Sequence, residues 1–189
     1  MIYQNTDIKT TGIVLGVALV ATHIVALLNG KSMRPILKDF PRNRAMGVLI
    51  MTINALWAYW IVSSMDLGEF SALRVKILIA IPIAYLLVVF FVEEFLSVRA
   101  LGTLMLLAAC VVLDAAWFKV PETMAWTKLL LPILAYAWII LGMFWVGMPY
   151  LMRDQISWLS HNGSRWKSVC IGGLLYGLLT LGCAIAFWS

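Results

Sequence analysis

Apolar stretches of similar length recur along this chain and are separated by short polar links. They occupy residues 12–29, 45–65, 77–92, 101–118, 129–152 and 168–188. An α-helix needs about 20 mostly apolar residues to cross roughly 30 Å of hydrocarbon, which is close to the length of each stretch. We therefore predict an all-α fold, a polytopic membrane helix bundle with six transmembrane helices in three hairpins. Residues 1–189 are expected to form one integral membrane domain.

The composition excludes a soluble protein. Of the 189 residues, 63% are hydrophobic and 12% are charged, against about 45–50% and about 25% in soluble domains. The polar links are too short to hold a separate soluble domain. No small-residue cleavage pattern follows the first stretch, so we expect this stretch to be retained as the first helix.

The third and fourth stretches are divided by a short charged segment that contains Glu93, Glu94 and Arg99. A single helix over residues 77–118 would carry these three charges at its centre, where charged groups are costly. We predict instead a tight hairpin, in which the three charges form a solvated cap. A cysteine placed at Ser97, in this turn, is then expected to be labelled from the cytoplasmic side only.

Lysine and arginine residues are distributed unequally between the two ends of the predicted helices. The odd-numbered links hold nine of the 14, and the opposite side holds five. Because cytoplasmic loops are enriched in these residues, the odd-numbered links are predicted to be cytoplasmic and both termini non-cytoplasmic, in a bacterial cytoplasmic membrane. The same rule accounts for the net charge of +5, so nucleic acid is not predicted as a partner.

Two of the cytoplasmic links, residues 31–44 and 153–167, are long enough to hold an amphipathic segment. Both are rich in basic residues, which favour contact with anionic lipid headgroups. The predicted partners therefore include the lipid bilayer around the helices and anionic lipid at these two basic links.

A histidine, His23, lies inside the first apolar stretch. At 100° per residue it shares a helix face with Gly12 and Gly16, a pair whose spacing permits close approach of another helix. A hydrogen bond across such a contact is favoured over a proton relay or a haem or metal ligand, since His161 is the only other histidine and lies in a link. Leu19 is expected to point away from this face.

Two further polar residues lie inside apolar stretches, Asn54 in the second and Asp114 in the fourth. Asp114 is predicted near the outer surface, where structural pairing or interfacial solvation is favoured over a substrate or proton site. Asn54 in the second helix and the pair Gly173 and Gly177 in the sixth have the spacing of further helix–helix contacts.

No pattern in the sequence indicates catalysis. There is no nucleophile elbow, no zinc-binding histidine pair and no cluster of aspartates, so no catalytic residue, metal or cofactor is predicted. The favoured function is a non-catalytic subunit or scaffold that binds another membrane protein or a second copy. The alternative is a small-solute or proton-coupled transporter or channel lined by His23, Asn54 and Asp114. A membrane-embedded enzyme is the third possibility.

Overall fold

The computed structural model describes residues 7–92, 94–117 and 126–188. Its helices are α1 (Ile8–Leu28), α2 (Gly30–Asp39), α3 (Arg44–Ser64), α4 (Arg74–Phe91), α5 (Leu96–Trp117), α6 (Leu130–Gly147), α7 (Tyr150–His161) and α8 (Gly163–Ala186). Short 3-10 turns cover Phe40–Arg42, Gly68–Leu73 and Thr127–Leu129. No strand occurs in the described ranges. Six of the helices, α1, α3, α4, α5, α6 and α8, are long and apolar enough to cross a membrane, which confirms the predicted all-α class.

The fifth spanning helix is shorter than its apolar stretch. α6 ends at Gly147 and α7 begins at Tyr150, although the apolar stretch runs on to residue 152. The break falls at Met148, because the residue before a proline is disfavoured in the helical region and Pro149 follows. The sequence stays apolar across this break, but the steric restriction that Pro149 places on Met148 ends the helix.

Both long links contain a helix, α2 in the first and α7 in the last, and these two helices contact each other. α7 buries Met152, Ile156 and Ser160, which lie four residues apart on one side of the helix. Met152 and Ile156 pack with Val98 near the start of α5. We call this end of the bundle, which carries α2, α7 and the α4–α5 turn, the α2–α7 face.

The α4–α5 turn is shorter than predicted, since Ser97 and Arg99 already belong to α5. α4 ends at Phe91, α5 begins at Leu96, and Glu94 between them is exposed. Glu93 lies outside the described residues. Ser97 is only 1% exposed and its hydroxyl donates to the carbonyl oxygen of Phe40 at 2.7 Å. The expectation of a labelled cysteine at Ser97 is therefore wrong, because the first turn of α5 is buried beneath the first link.

The bundle is built around α5. This helix packs extensively against α3 on one side and α6 on the other, while α1 pairs with α8 along its length and α4 packs on α3. The links at the α2–α7 face connect α1 with α3, α4 with α5 and α6 with α8. None of these three pairs is among the pairs of helices that pack extensively. The largest cluster of buried apolar residues lies at the opposite end and includes Ile8, Val112, Leu131 and Trp188.

Candidate functional site

The two predicted glycine faces meet in one antiparallel interface between α1 and α8. A Cβ atom added to Gly12 would lie 2.3 Å from the Trp188 ring, and one added to Gly16 would lie 2.8 Å from Cβ of Leu181. Real Cβ atoms essentially never approach other atoms so closely. Neither position has room for a side chain as the helices now lie.

His23 belongs to the same interface. A Cβ atom on Gly173 would lie 2.0 Å from Nε2 of His23, so the imidazole covers this glycine. The other ring nitrogen, Nδ1, is 2.7 Å from the carbonyl oxygen of Leu19. Leu19 itself packs against Gly177, where an added Cβ would lie 2.9 Å from that of the leucine. The expectation that Leu19 points outward is wrong, because the surface of α1 that contacts α8 includes Leu19 as well as the face that carries Gly12, Gly16 and His23.

Asn54 lies in a second interface, between α3 and α5. Its side chain is 2% exposed, and Nδ2 donates to the carbonyl oxygen of Ala100 at 2.7 Å. The amide oxygen Oδ1 is buried without a hydrogen-bond partner. About two helical turns earlier in α3, a Cβ on Gly47 would lie 2.6 Å from the backbone nitrogen of Ser97. Asn54 thus fastens two closely packed helices.

Asp114 lies near the other end of α5 and is half-buried. It has no hydrogen bond or ion pair to another residue within the described ranges. Ala100, the partner of Asn54, is 14 residues earlier in α5, which corresponds to about 21 Å along a helix. His23 lies on the separate α1–α8 interface. The structure therefore does not bring His23, Asn54 and Asp114 together.

Arg99, predicted as part of a solvated cap, is half-buried and donates from Nη1 to the carbonyl oxygen of Val146 at 2.7 Å. Val146 is in the last turn of α6, where backbone carbonyls lack partners in the helix and the helix dipole attracts cations. Arg74 donates likewise to the carbonyl of Met65 after α3, and Arg44 to that of Val89 in α4. These three arginines thus donate to backbone carbonyls at the ends of neighbouring helices.

The side chain of Trp166 caps the last turn of α1 in the same way. The indole Nε1 of Trp166 donates to the carbonyl oxygen of Ala26 at 3.0 Å. The indole also covers Gly30, whose added Cβ would lie 3.0 Å from Nε1. Sequence reasoning missed this residue and Arg99 as caps, because the acceptor is a backbone carbonyl, which every residue carries.

Two cavities of similar size lie at opposite ends of the bundle. One, of about 540 Å³, is bordered by α1, α3, α5 and α6 and has Trp57, Trp60 and Trp138 among its lining. The other, of about 510 Å³, opens at the α2–α7 face and has Lys31 and Arg34 among its lining. The first is apolar and the second is basic. Among the described residues, no group of three or more His, Cys, Asp or Glu side chains is placed to hold a metal ion.

Comparison with protein-family models, with curated proteins and with solved structures found no significant match to this chain. The class is thus defined by the fold alone: an all-α membrane protein whose described residues include six helices able to span the bilayer.

Proposed function

We propose that the protein is a non-catalytic structural subunit of a membrane complex, with the α2–α7 face in the cytoplasm of a bacterial cell and both termini outside. One observation carries the proposal: three buried or half-buried polar side chains of the bundle are used to join helices. Asn54 binds the backbone of α5, Arg99 that of α6 and Trp166 that of α1. Groups so used are held in place and are not free to carry a solute.

The side of the bundle formed by α4 is the best supported place for a partner. No residue in the most apolar 18-residue segment of Gly68–Phe91 is buried within the chain. α4 is held to α3 at its middle by the hydroxyls of Thr52 and Tyr85, 2.9 Å apart, and at its ends by Arg74 and Arg44. The opposite side of α4 presents a row of large apolar side chains, among them Val75, Ile79, Ile83, Leu86 and Phe90. Such a row suits either lipid or a second membrane helix.

Assembly in a mild detergent tests the proposal. The wild-type protein is expected to purify with a stoichiometric membrane partner or as a homo-oligomer, measured by size-exclusion chromatography with light scattering. Replacing Ile83 with Trp on the outer side of α4 should disrupt that assembly, while replacing Ile185 with Trp, at an exposed position of α8, should not. A monomer without partner, or equal effects of both changes, would contradict the proposal.

The transporter alternative rests on Asp114, a carboxylate in a spanning helix without a partner among the described residues. Asp114→Asn keeps the size and hydrogen-bonding capacity of the side chain and removes its charge. If the protein is a structural subunit, proteoliposomes with the wild type or with this variant should show no specific flux of a solute. The change should then alter only thermal stability or partner retention. A purified variant with wild-type stability and abolished proton-dependent uptake of a solute would establish the transporter instead.

A further inference from the structure

The basic cavity at the α2–α7 face lies where α1 ends and α2 and α8 begin. We call it the junction pocket. Its lining includes the apolar residues Leu27 and Leu28, the first turn of α2, and three basic side chains, Lys31, Arg34 and Lys167. No aspartate or glutamate occurs in the lining that the structure describes. The pocket therefore combines positive charge with an apolar wall.

Arg34 is placed in this pocket by its neighbours. Its guanidinium lies over the ring of Trp166, 5.4 Å from the centroid, and that ring is itself fixed by the hydrogen bond to Ala26. The Nε atom of Arg34 is buried without a hydrogen-bond partner. A Cβ added to Gly163, the first residue of α8, would lie 3.6 Å from Nη2 of Arg34. The guanidinium is thus held at a helix N-terminus.

This placement leaves positive charge uncompensated. Helix N-termini carry a partial positive charge, so a guanidinium beside the start of α8 is unfavourable unless an anion lies between them. Neither Arg34 nor the two pocket lysines forms an ion pair with any residue within the described ranges. By sequence, the links of the α2–α7 face hold nine Lys and Arg against four Asp and Glu, and the opposite side holds five of each. The whole net charge of +5 therefore lies on the face that contains the pocket.

The apolar wall indicates the source of the anion. Leu27 and Leu28 are the last residues of α1, where a spanning helix leaves the hydrocarbon, and the side chain of Leu28 is 79% exposed. A lipid chain running along α1 would bring its headgroup phosphate to the level of Lys31 and Arg34. We propose that the junction pocket binds the phosphate of an anionic phospholipid, with Arg34 as its principal ligand and Lys31 and Lys167 beside it.

Lipid retention and lipid-dependent stability test this site on the full-length protein. The delipidated protein is titrated with phosphatidylglycerol, with phosphatidylcholine and with inorganic phosphate, and native mass spectrometry and thermal unfolding are recorded. Phosphatidylglycerol should remain bound and raise the melting temperature, whereas the other two should do neither at equal concentration. Equal stabilisation by phosphatidylcholine would overturn the charge argument, and equal stabilisation by inorganic phosphate would overturn the lipid source.

A pair of variants with the same charge change locates the site. Arg34→Gln should weaken phosphatidylglycerol binding about tenfold, as expected for the loss of one charge-assisted contact. Arg153→Gln, on the same face but exposed and paired with Asp154, should bind like the wild type. If Arg34→Gln fails to fold, Lys167→Gln serves instead, since Lys167 is exposed. Equal affinities of the pocket variant and Arg153→Gln would refute the pocket as the site.

Discussion

The crossing of α5 and α6 offers the sharpest test of how this bundle is packed. At the crossing, a Cβ atom on Gly102 would lie 2.8 Å from the carbonyl oxygen of Gly142, and a Cβ on Gly142 would lie 2.8 Å from the carbonyl oxygen of Gly102. Ordinary contacts begin at 3.4 Å. Because both obstacles are backbone atoms, neither can rotate away. Alanine at either position must therefore push the two helices apart by about 0.6 Å.

The energetic cost of this separation is a weaker dispersion attraction along the whole interface. A gap of about 0.5–1 Å forfeits roughly a quarter to a half of the dispersion energy of each atom pair that it separates, and overpacking a close interface costs about 1–3 kcal/mol. We expect Gly102→Ala and Gly142→Ala each to lower the free energy of unfolding by about 2 kcal/mol. The double variant should cost clearly less than the sum, since one separation of the helices accommodates both methyl groups.

Thermal or denaturant unfolding in a mild detergent measures these effects, with Gly182→Ala as the matched control. Gly182 is also inside a spanning helix, α8, but an added Cβ meets nothing within 4 Å. Its replacement should be neutral or stabilising by up to about 1 kcal/mol, because alanine favours helix more than glycine does. If Gly102→Ala unfolds like Gly182→Ala, or if the two crossing variants are additive, the reasoning is refuted.

Three further outcomes are expected from the same structure. A cysteine at exposed Glu94 should react with impermeant reagents only from the cytoplasmic side, and a reporter fused to the C-terminus should report the other side; the reverse pattern would invert the topology. Gly16→Leu should sharply reduce the yield of folded protein, whereas Val17→Leu on the exposed side of α1 should not, as fluorescence-detected chromatography would reveal. Asn54→Leu should change stability by under about 1 kcal/mol, since one membrane hydrogen bond contributes about 0.6 kcal/mol and an unpaired buried Oδ1 is removed with it; a loss above about 3 kcal/mol in equilibrium unfolding would contradict this.

Hydropathy predicted the six spanning helices because burial of a helix in lipid depends on its own composition and length. It misplaced the end of α6, where Met148 and Pro149 interrupt the helix inside an apolar stretch. It also missed the first turns of α8, since Arg165 and Lys167 are polar yet helical, and Asn162 caps their helix by accepting from the backbone of Ser164. Composition reports where lipid is tolerated, whereas caps and prolines determine where a helix ends.

Periodicity placed His23 and the glycines of α1 on one face, but it carried no information about which helix covers that face. The covering residues, such as Gly173 and Gly177, lie about 150 positions later in the chain. Gly102 and Gly142 were not singled out at all, because each is a lone glycine whose role depends on the other. The junction pocket was anticipated only as a basic link, since its geometry depends on Arg34 and Trp166 meeting across two links.

The pairing of α1 with α8 also sets the time at which the bundle can close. About 135 residues separate the end of α1 from the start of α8, which corresponds to roughly 7–27 s of synthesis at about 5–20 residues per second. Throughout that interval the face of α1 that carries Gly12, Gly16 and His23 is not yet covered by α8. A chain whose synthesis stops before α8 therefore keeps the face of α1 that carries Gly12, Gly16 and His23 without its covering helix.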